Sequence, residues 1–394
     1  MINEHAYQLG LNSSVIRDLF EYGQKRAAQI GRENVFDYSL GNPSLPTPAA
    51  VHDAIRDILL QEESLAVHSY TSAAGDLQAR QAIAADLNRR FSADVRAEDL
   101  FITCGAAPGL VAVFRALATP GAEILAIAPY FPEYKPFAQS AGFQFRVVPA
   151  DVPRFQIRMD ALEEMLTEHT AAVILNSPNN PTGTVYTRDT LEQLSALLRK
   201  KAAQFGHPIY IIADEPYREL VYGDAQVSFI PNIYPDTIVC YSYSKSLSLP
   251  GERIGYIYVP QQTSRHKELL TAISGASRVM GHVCAPSLWQ KVIARCAHLG
   301  PDLRSYDRNR RTLADALTRF GYEIAQPDGA FYLFVKAPGG DAKAFSKLAM
   351  EKDLLIVPGD DFDCPGWLRL CYCVSYDTVV RSLPIFQALL EAYV

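Results

Sequence analysis

Short apolar runs alternate with amphipathic stretches along most of this chain. The runs at 100–103, 123–128, 143–148, 172–175, 209–213, 237–241 and 255–259 predict seven strands. Several are apolar throughout, as in Ala172-Val173-Ile174-Leu175 and Ile209-Tyr210-Ile211-Ile212. A strand with one wet face alternates apolar and polar residues. An unbroken apolar run fits a strand covered on both faces, as in a mostly parallel sheet. Between the strands, 190–205 carries apolar residues at 191, 194, 197 and 198, a stripe at the helical period. The stretch 76–91 has the same character, with Asp76 placed to cap it. Strands interleaved with helices predict an α/β core.

Beyond residue 280 the pattern changes. Helical stretches at 287–298 and 301–320 precede short strands at 330–335 and 367–372 and a last helix at 377–392. The predicted organisation is a large unit over 46–280 and a smaller α+β unit over 281–394. An N-terminal segment, 1–45, is expected to pack with the smaller unit. A length of 394 residues suits such a division, at roughly 150 residues per domain.

Composition narrows the function. Hydrophobic residues at 48% and charged residues at 20% give an ordinary globular balance. A net charge of −6 lacks the basic surplus of a nucleic-acid surface. Residues 1–10 are polar and hold no signal core. No run approaches the ~20 apolar residues of a membrane span. The expectation is a soluble, cytoplasmic protein with neither nucleic-acid nor membrane partners. The seven cysteines include no C-x-x-C and no paired Cys/His spacing. They are expected to be buried thiols in a reducing compartment, with no metal site.

The chemistry gathers where predicted strands end. Lys245, in Tyr241-Ser242-Tyr243-Ser244-Lys245-Ser246, leaves a strand end beside a polar loop. A partly desolvated lysine there becomes a nucleophilic amine. Arg253, eight residues on, offers a fork suited to phosphate. Alone, the stretch reads equally as a surface lysine in a serine-rich loop. Three further strand ends alter that balance. Asn176-Ser177-Pro178-Asn179-Asn180-Pro181-Thr182-Gly183 follows one strand, and Asp214-Glu215-Pro216-Tyr217 follows another. Cys104-Gly105-Ala106-Ala107-Pro108-Gly109 follows a third and opens a helix. Its small residues let backbone N–H groups reach an anion. Ligand groups of open α/β sheets gather at such strand ends.

In order, the chain carries Tyr70…Gly75, Gly105-Ala106-Ala107, Pro129-Tyr130-Phe131, Asn180-Pro181-Thr182-Gly183, Asp214-x-x-Tyr217, Ser242-x-x-Lys245, Arg253 and Arg369. This series resembles the class I/II aminotransferases, fold-type I pyridoxal-phosphate enzymes of the aspartate aminotransferase superfamily. The resemblance spans nearly the whole chain. It implies a large domain with a seven-stranded, mostly parallel sheet between helices, plus a smaller α+β domain.

The resemblance also implies roles for individual residues. Lys245 would hold pyridoxal 5′-phosphate as a Schiff base and later move a proton at the substrate Cα. Asp214 would keep the pyridine nitrogen protonated, and Asn180 and Tyr217 would bond the ring oxygen. Phe131, or its neighbour Tyr130, would stack on the ring. Gly105, Ala106, Ala107, Ser242 and Arg253 would hold the phosphate. Tyr70 would reach the phosphate of the other subunit, which implies a homodimer with shared active sites. Arg369, with Gly41 and Asn180, would hold the substrate carboxylate. The family often carries a hydroxyl or lysine where this chain has Ala106 and Ala107. The distal arginine of dicarboxylate-specific members has no clear counterpart, Arg278 being the nearest. Tyr7, Leu11, Leu45 and His282 are further candidates for the side-chain pocket. The implied reaction is ping-pong transfer of an amino group from aspartate or another L-amino acid to a 2-oxo acid such as 2-oxoglutarate. A carbon–sulfur β-lyase on the same fold is the alternative, and a non-catalytic sensor module is a further one. The sensor module is disfavoured by the intact Lys245 and by the lack of a DNA-binding segment ahead of the enzyme-like part.

Overall fold

The computed structural model describes residues 1–11 and 15–393. Two helices, Glu4–Leu11 and Val15–Ile30, lead into a short strand β1 (Phe36–Asp37). The seven predicted strands are all present. They are β2 (Leu100–Thr103), β3 (Glu123–Ile127), β4 (Gln144–Val148), β5 (Thr170–Asn176), β6 (Tyr210–Asp214), β7 (Thr237–Ser242) and β8 (Gly255–Tyr258). They form one sheet in the order β2-β8-β7-β6-β5-β3-β4. β8 runs antiparallel to both of its neighbours, and every other pairing is parallel. Every residue of β2, β3, β6, β7 and β8 is buried, as unbroken apolar runs require.

Helix boundaries follow local chemistry. The Leu77–Phe91 helix is capped by Asp76, whose Oδ1 accepts from Ala79 N at 2.9 Å. The helix predicted over 190–205 begins earlier, at Arg188. Thr187 caps it by accepting from Thr190 N at 3.1 Å, and Gly206 ends it at φ 81°. The last helix, Tyr376–Glu391, runs through Pro384.

A three-stranded antiparallel sheet is built from β9 (Tyr332–Lys336), β11 (Val357–Pro358) and β12 (Trp367–Cys371), in the order β11-β12-β9. β10 (Leu354–Leu355) pairs in parallel with β1, joining Phe36 to Leu354. Arg26 adds an ion pair to Asp353 at 2.7 Å. The Ser287–Cys296 helix departs from expectation. It packs against the Ala49–Gln61 and Leu77–Phe91 helices, and its Val292 and Ile293 join the core around the large sheet. Its apolar face finds a partner there rather than in the smaller unit. All seven cysteines are free. Five are buried as expected, but Cys104 and Cys284 are half-buried because both line a small pocket near the surface. Among the described residues no helix is long and apolar enough to cross a membrane.

Beneath the predicted catalytic loop lies a buried ion pair. Arg218 Nε donates to Glu215 Oε2 at 2.6 Å, and Arg218 Nη1 donates to Tyr256 Oη at 2.9 Å. The guanidinium also sits 4.6 Å from the centre of the Tyr241 ring. Tyr241 Oη is hydrogen-bonded to Ser246 Oγ at 2.8 Å, one residue from Lys245. Removing one member of a buried pair strands the other charge, at about 3–5 kcal/mol. Glu215→Ala should therefore lower the unfolding free energy in urea by about that amount. A loss below about 1 kcal/mol, the range of an exposed pair, would show that Arg218 finds other compensation.

Candidate active site

Six strands deliver the predicted residues to one edge of the sheet. β6 ends at Asp214, in register with Asn176 at the end of β5 and with Cys240 on β7. β7 ends at Ser242, and the following turn of helix, Tyr243–Ser246, carries Lys245. β2 leads through Gly105 into the Ala106–Leu117 helix. β3 leads to Phe131, and Arg253 precedes β8. From the smaller sheet, β12 contributes Arg369.

These residues meet in a cavity of about 280 Å³. Gly41, Ala106, Ala107, Phe131, Asn180, Asp214, Tyr217, Ser242, Lys245, Arg253 and Arg369 all line it. Gly105 stands beside it at φ 93°, where an added Cβ would lie 2.7 Å from Arg253 Nη2. That positive φ favours glycine. The close approach sets the guanidinium next to the first backbone N–H groups of the helix, which have no intrahelical partner. Two positive features thus form an anion cradle. Of the neighbouring aromatics, Phe131 faces the cavity. Tyr130 turns away and donates to Asp363 Oδ2 at 2.6 Å. Tyr70 lies outside the cavity and is 85% exposed on this chain.

Arg278, Tyr7, Leu11, Leu45 and His282 are not in the cavity wall. Arg278 is in the last turn of the His266–Val279 helix, and Tyr7 and Leu11 are exposed on the first helix. Leu45 packs on the core of the smaller sheet, and His282 lines a separate pocket with Cys104 and Cys284. Ile16 and Leu40 line the cavity instead.

Electrostatics distinguish the central groups. Lys245 Nζ donates to the carbonyl of Gly41 at 2.7 Å. Loss of hydration lowers its pKa, and Arg253 and Arg369 push the same way. Asp214 is buried, and its Oδ2 accepts from Tyr134 Oη at 2.5 Å. Its Oδ1 has no hydrogen-bond partner among the described residues. Burial raises the Asp214 pKa to about 7; the Tyr134 bond opposes the rise and the Glu215 charge adds to it. Arg369 is also buried. It donates through Nη1 to Asn180 Oδ1 at 3.0 Å and through Nη2 to the carbonyl of Ser39, while its Nε has no partner among the described residues. Asn180 is held in turn, its N–H donating to Asn176 Oδ1 at 2.7 Å.

Tyr134, Asn176 and Tyr332 were not singled out in the sequence. Tyr134 sits three residues past Phe131, so the start of a helix brings both rings to one place. Asn176 ends an apolar strand, the position that marked Asp214. Tyr332 left no such signal, because it reads as an ordinary apolar strand residue.

A desolvated lysine, a buried carboxylate and an anion cradle meet at strand ends of the large sheet, and the smaller sheet sets a buried arginine against them. The family model for aminotransferase class I and II matches residues 33–383, and the chain belongs to that family. It is similar to an amino transferase of Eubacterium rectale, at 52% identity and a TM-score of 0.98, covering 100% of this chain and 99% of that one. It is 30% identical over 386 residues to the aspartate aminotransferase of Thermotoga maritima, covering 96% of this chain and 97% of the relative. It is 29% identical to the aspartate/prephenate aminotransferase of Thermus thermophilus, covering 93% and 94%. The enzyme is a pyridoxal-phosphate-dependent transaminase.

The free Asp214 oxygen carries a pH signature. An acid whose pKa is raised by folding stabilises the fold while protonated. That contribution is complete below the ordinary carboxylate pKa near 4 and is lost as pH rises through about 7. Thermal stability of the cofactor-free protein should therefore fall more steeply across this window than that of Asp214→Asn. Parallel profiles would show that Asp214 is not desolvated.

Proposed function

We propose that this chain moves an amino group from an L-amino acid, aspartate among them, to a 2-oxo acid such as 2-oxoglutarate. The cycle is ping-pong and centres on Lys245. The observation that carries the reading is the pairing of a desolvated Lys245 with the unpartnered Oδ1 of Asp214 in one cavity. A buried carboxylate oxygen without a partner is costly unless a cationic donor meets it. The protonated nitrogen of a pyridine ring is such a donor, so the residues present fit pyridoxal phosphate.

When bound, that cofactor supplies an electron sink for the carbanion at the substrate Cα. The protein's part is to bind, orient and move protons. Asp214 holds the ring nitrogen cationic. Asn180 and Tyr217 would bond the ring oxygen, and Phe131, on the cavity wall, would pack on the ring. Ser242, Arg253 and the N–H groups of Gly105, Ala106 and Ala107 hold the phosphate. Arg369, with Nε free, takes the substrate α-carboxylate beside Gly41 and Asn180. Lys245 Nζ takes the proton from the substrate Cα, and its lowered pKa keeps more of it in the neutral form that can accept. The exposure of Tyr70 supports a two-fold dimer in which it reaches the other subunit's phosphate.

Each amino acid added alone to the loaded enzyme should yield, for true donors, one equivalent of 2-oxo acid per site. Absence of product from every common amino acid would contradict transfer. Pyruvate and ammonia from cysteine or cystathionine without an acceptor would instead indicate β-elimination. Lys245→Ala should lower turnover by at least about 10²- to 10⁴-fold, the range of a lost general base.

Shared sites make a separate expectation. Tyr70→Phe and Lys245→Ala subunits, each impaired as homodimers, should regain activity when mixed, because one site of the hybrid then has both groups intact. Mixtures no more active than the sum of their parts would exclude the exchange.

A further inference from the structure

Tyr332 touches three of the groups on which the proposed function depends. Its hydroxyl lies 2.6 Å from Tyr217 Oη. Its ring lies under Arg369, whose guanidinium carbon is 5.0 Å from the ring centre. Its hydroxyl also packs so closely on Gly41 that no Cβ fits there. The position is fixed by the small sheet, where Tyr332 on β9 pairs with Cys371, two residues past Arg369 on β12. The side chain is buried, at 2% exposure.

Tyr217 has one hydroxyl proton. If it is directed to the cofactor's ring oxygen, the bond between the two hydroxyls needs the proton of Tyr332. Among the described residues Tyr217 is the one hydrogen-bond partner of the Tyr332 hydroxyl. We propose that Tyr332 is a positioning residue that donates to Tyr217 and braces Arg369, so linking the carboxylate subsite to the cofactor-ring subsite. The inference rests on the roles of Lys245 and Tyr217 given above. Burial holds both phenols well above their ordinary pKa, so each keeps the proton it donates. The titratable or charged groups facing the pair are Asp214 on β6, Tyr134 beside it, and Arg369 and Cys371 on β12. Donation into Tyr217 polarises its O–H bond, and such chaining strengthens a hydrogen bond by about 10–30%. A stronger donor on the ring oxygen weakens the hold of the adjacent Lys245 nitrogen on its proton.

The test uses the cofactor-loaded enzyme and two variants, each first checked by circular dichroism against the parent. Tyr332→Phe keeps the ring and removes the hydroxyl. The pH midpoint of the bound cofactor's visible absorbance should move alkaline by about 0.3–1 pH unit. Tyr332→Leu also removes the ring beneath Arg369. It should raise the KM for amino acids about five- to thirtyfold, as for loss of a desolvated cation–π contact, and Tyr332→Phe should raise it much less. A Phe variant with the parent's midpoint overturns the hydroxyl link. A Leu variant with the KM of the Phe variant overturns the brace. If the parent itself shows no titrating visible band, the reading of Lys245 fails first, so the two failures are distinguishable.

Discussion

The carboxylate of Asp214 is the constraint around which the site is organised. It is buried at the end of β6, with one oxygen bonded by Tyr134 and the other without a partner. Burial strips that oxygen of most of its hydration. Such a group is stable either protonated or against a cation, which is why its pKa rises to about 7. A cationic ring bound there, as proposed, would resolve the conflict and would couple its own binding to the ionisation of Asp214.

The sheet makes this arrangement possible. Parallel pairing sets Asn176, Asp214 and Cys240 side by side, and β7 then runs on to Ser242 and Lys245. The reactive amine and the carboxylate thus come from adjacent strands. The buried Glu215–Arg218 pair and the Tyr241–Ser246 hydrogen bond secure the same two strand ends from behind. On the opposite side of the cavity, Arg369 arrives from the smaller sheet and is held by Asn180, which follows β5. The setting of Arg369 therefore depends on contact between the two sheets, and any relative movement of them would be felt there.

Much of this was legible in the sequence, for identifiable reasons. Doubly covered strands announce themselves as unbroken apolar runs, so all seven strands were found. Polar residues at their ends then stand out, as Lys245, Asp214 and Asn180 did. Capping chemistry marks Asp76 as a helix start, whereas the apolar stripe alone sets the start of the Arg188–Phe205 helix late, past its Thr187 cap. What the pattern does not carry is which face an interior residue presents. Tyr134 and Tyr332 look like core aromatics, and only their partners, Asp214 and Tyr217, reveal otherwise. The packing partner of the Ser287–Cys296 helix is hidden in the sequence for a related reason. An amphipathic stripe says that a helix packs, but not against which core.

The account stands on a covalent link between Lys245 and an aldehyde cofactor. Borohydride reduction of the protein incubated with pyridoxal phosphate, followed by peptide mass mapping, tests it directly. The account predicts one pyridoxyl-phosphate adduct per chain, on Lys245. A label confined to other lysines, or no label on protein that is otherwise folded, would contradict it.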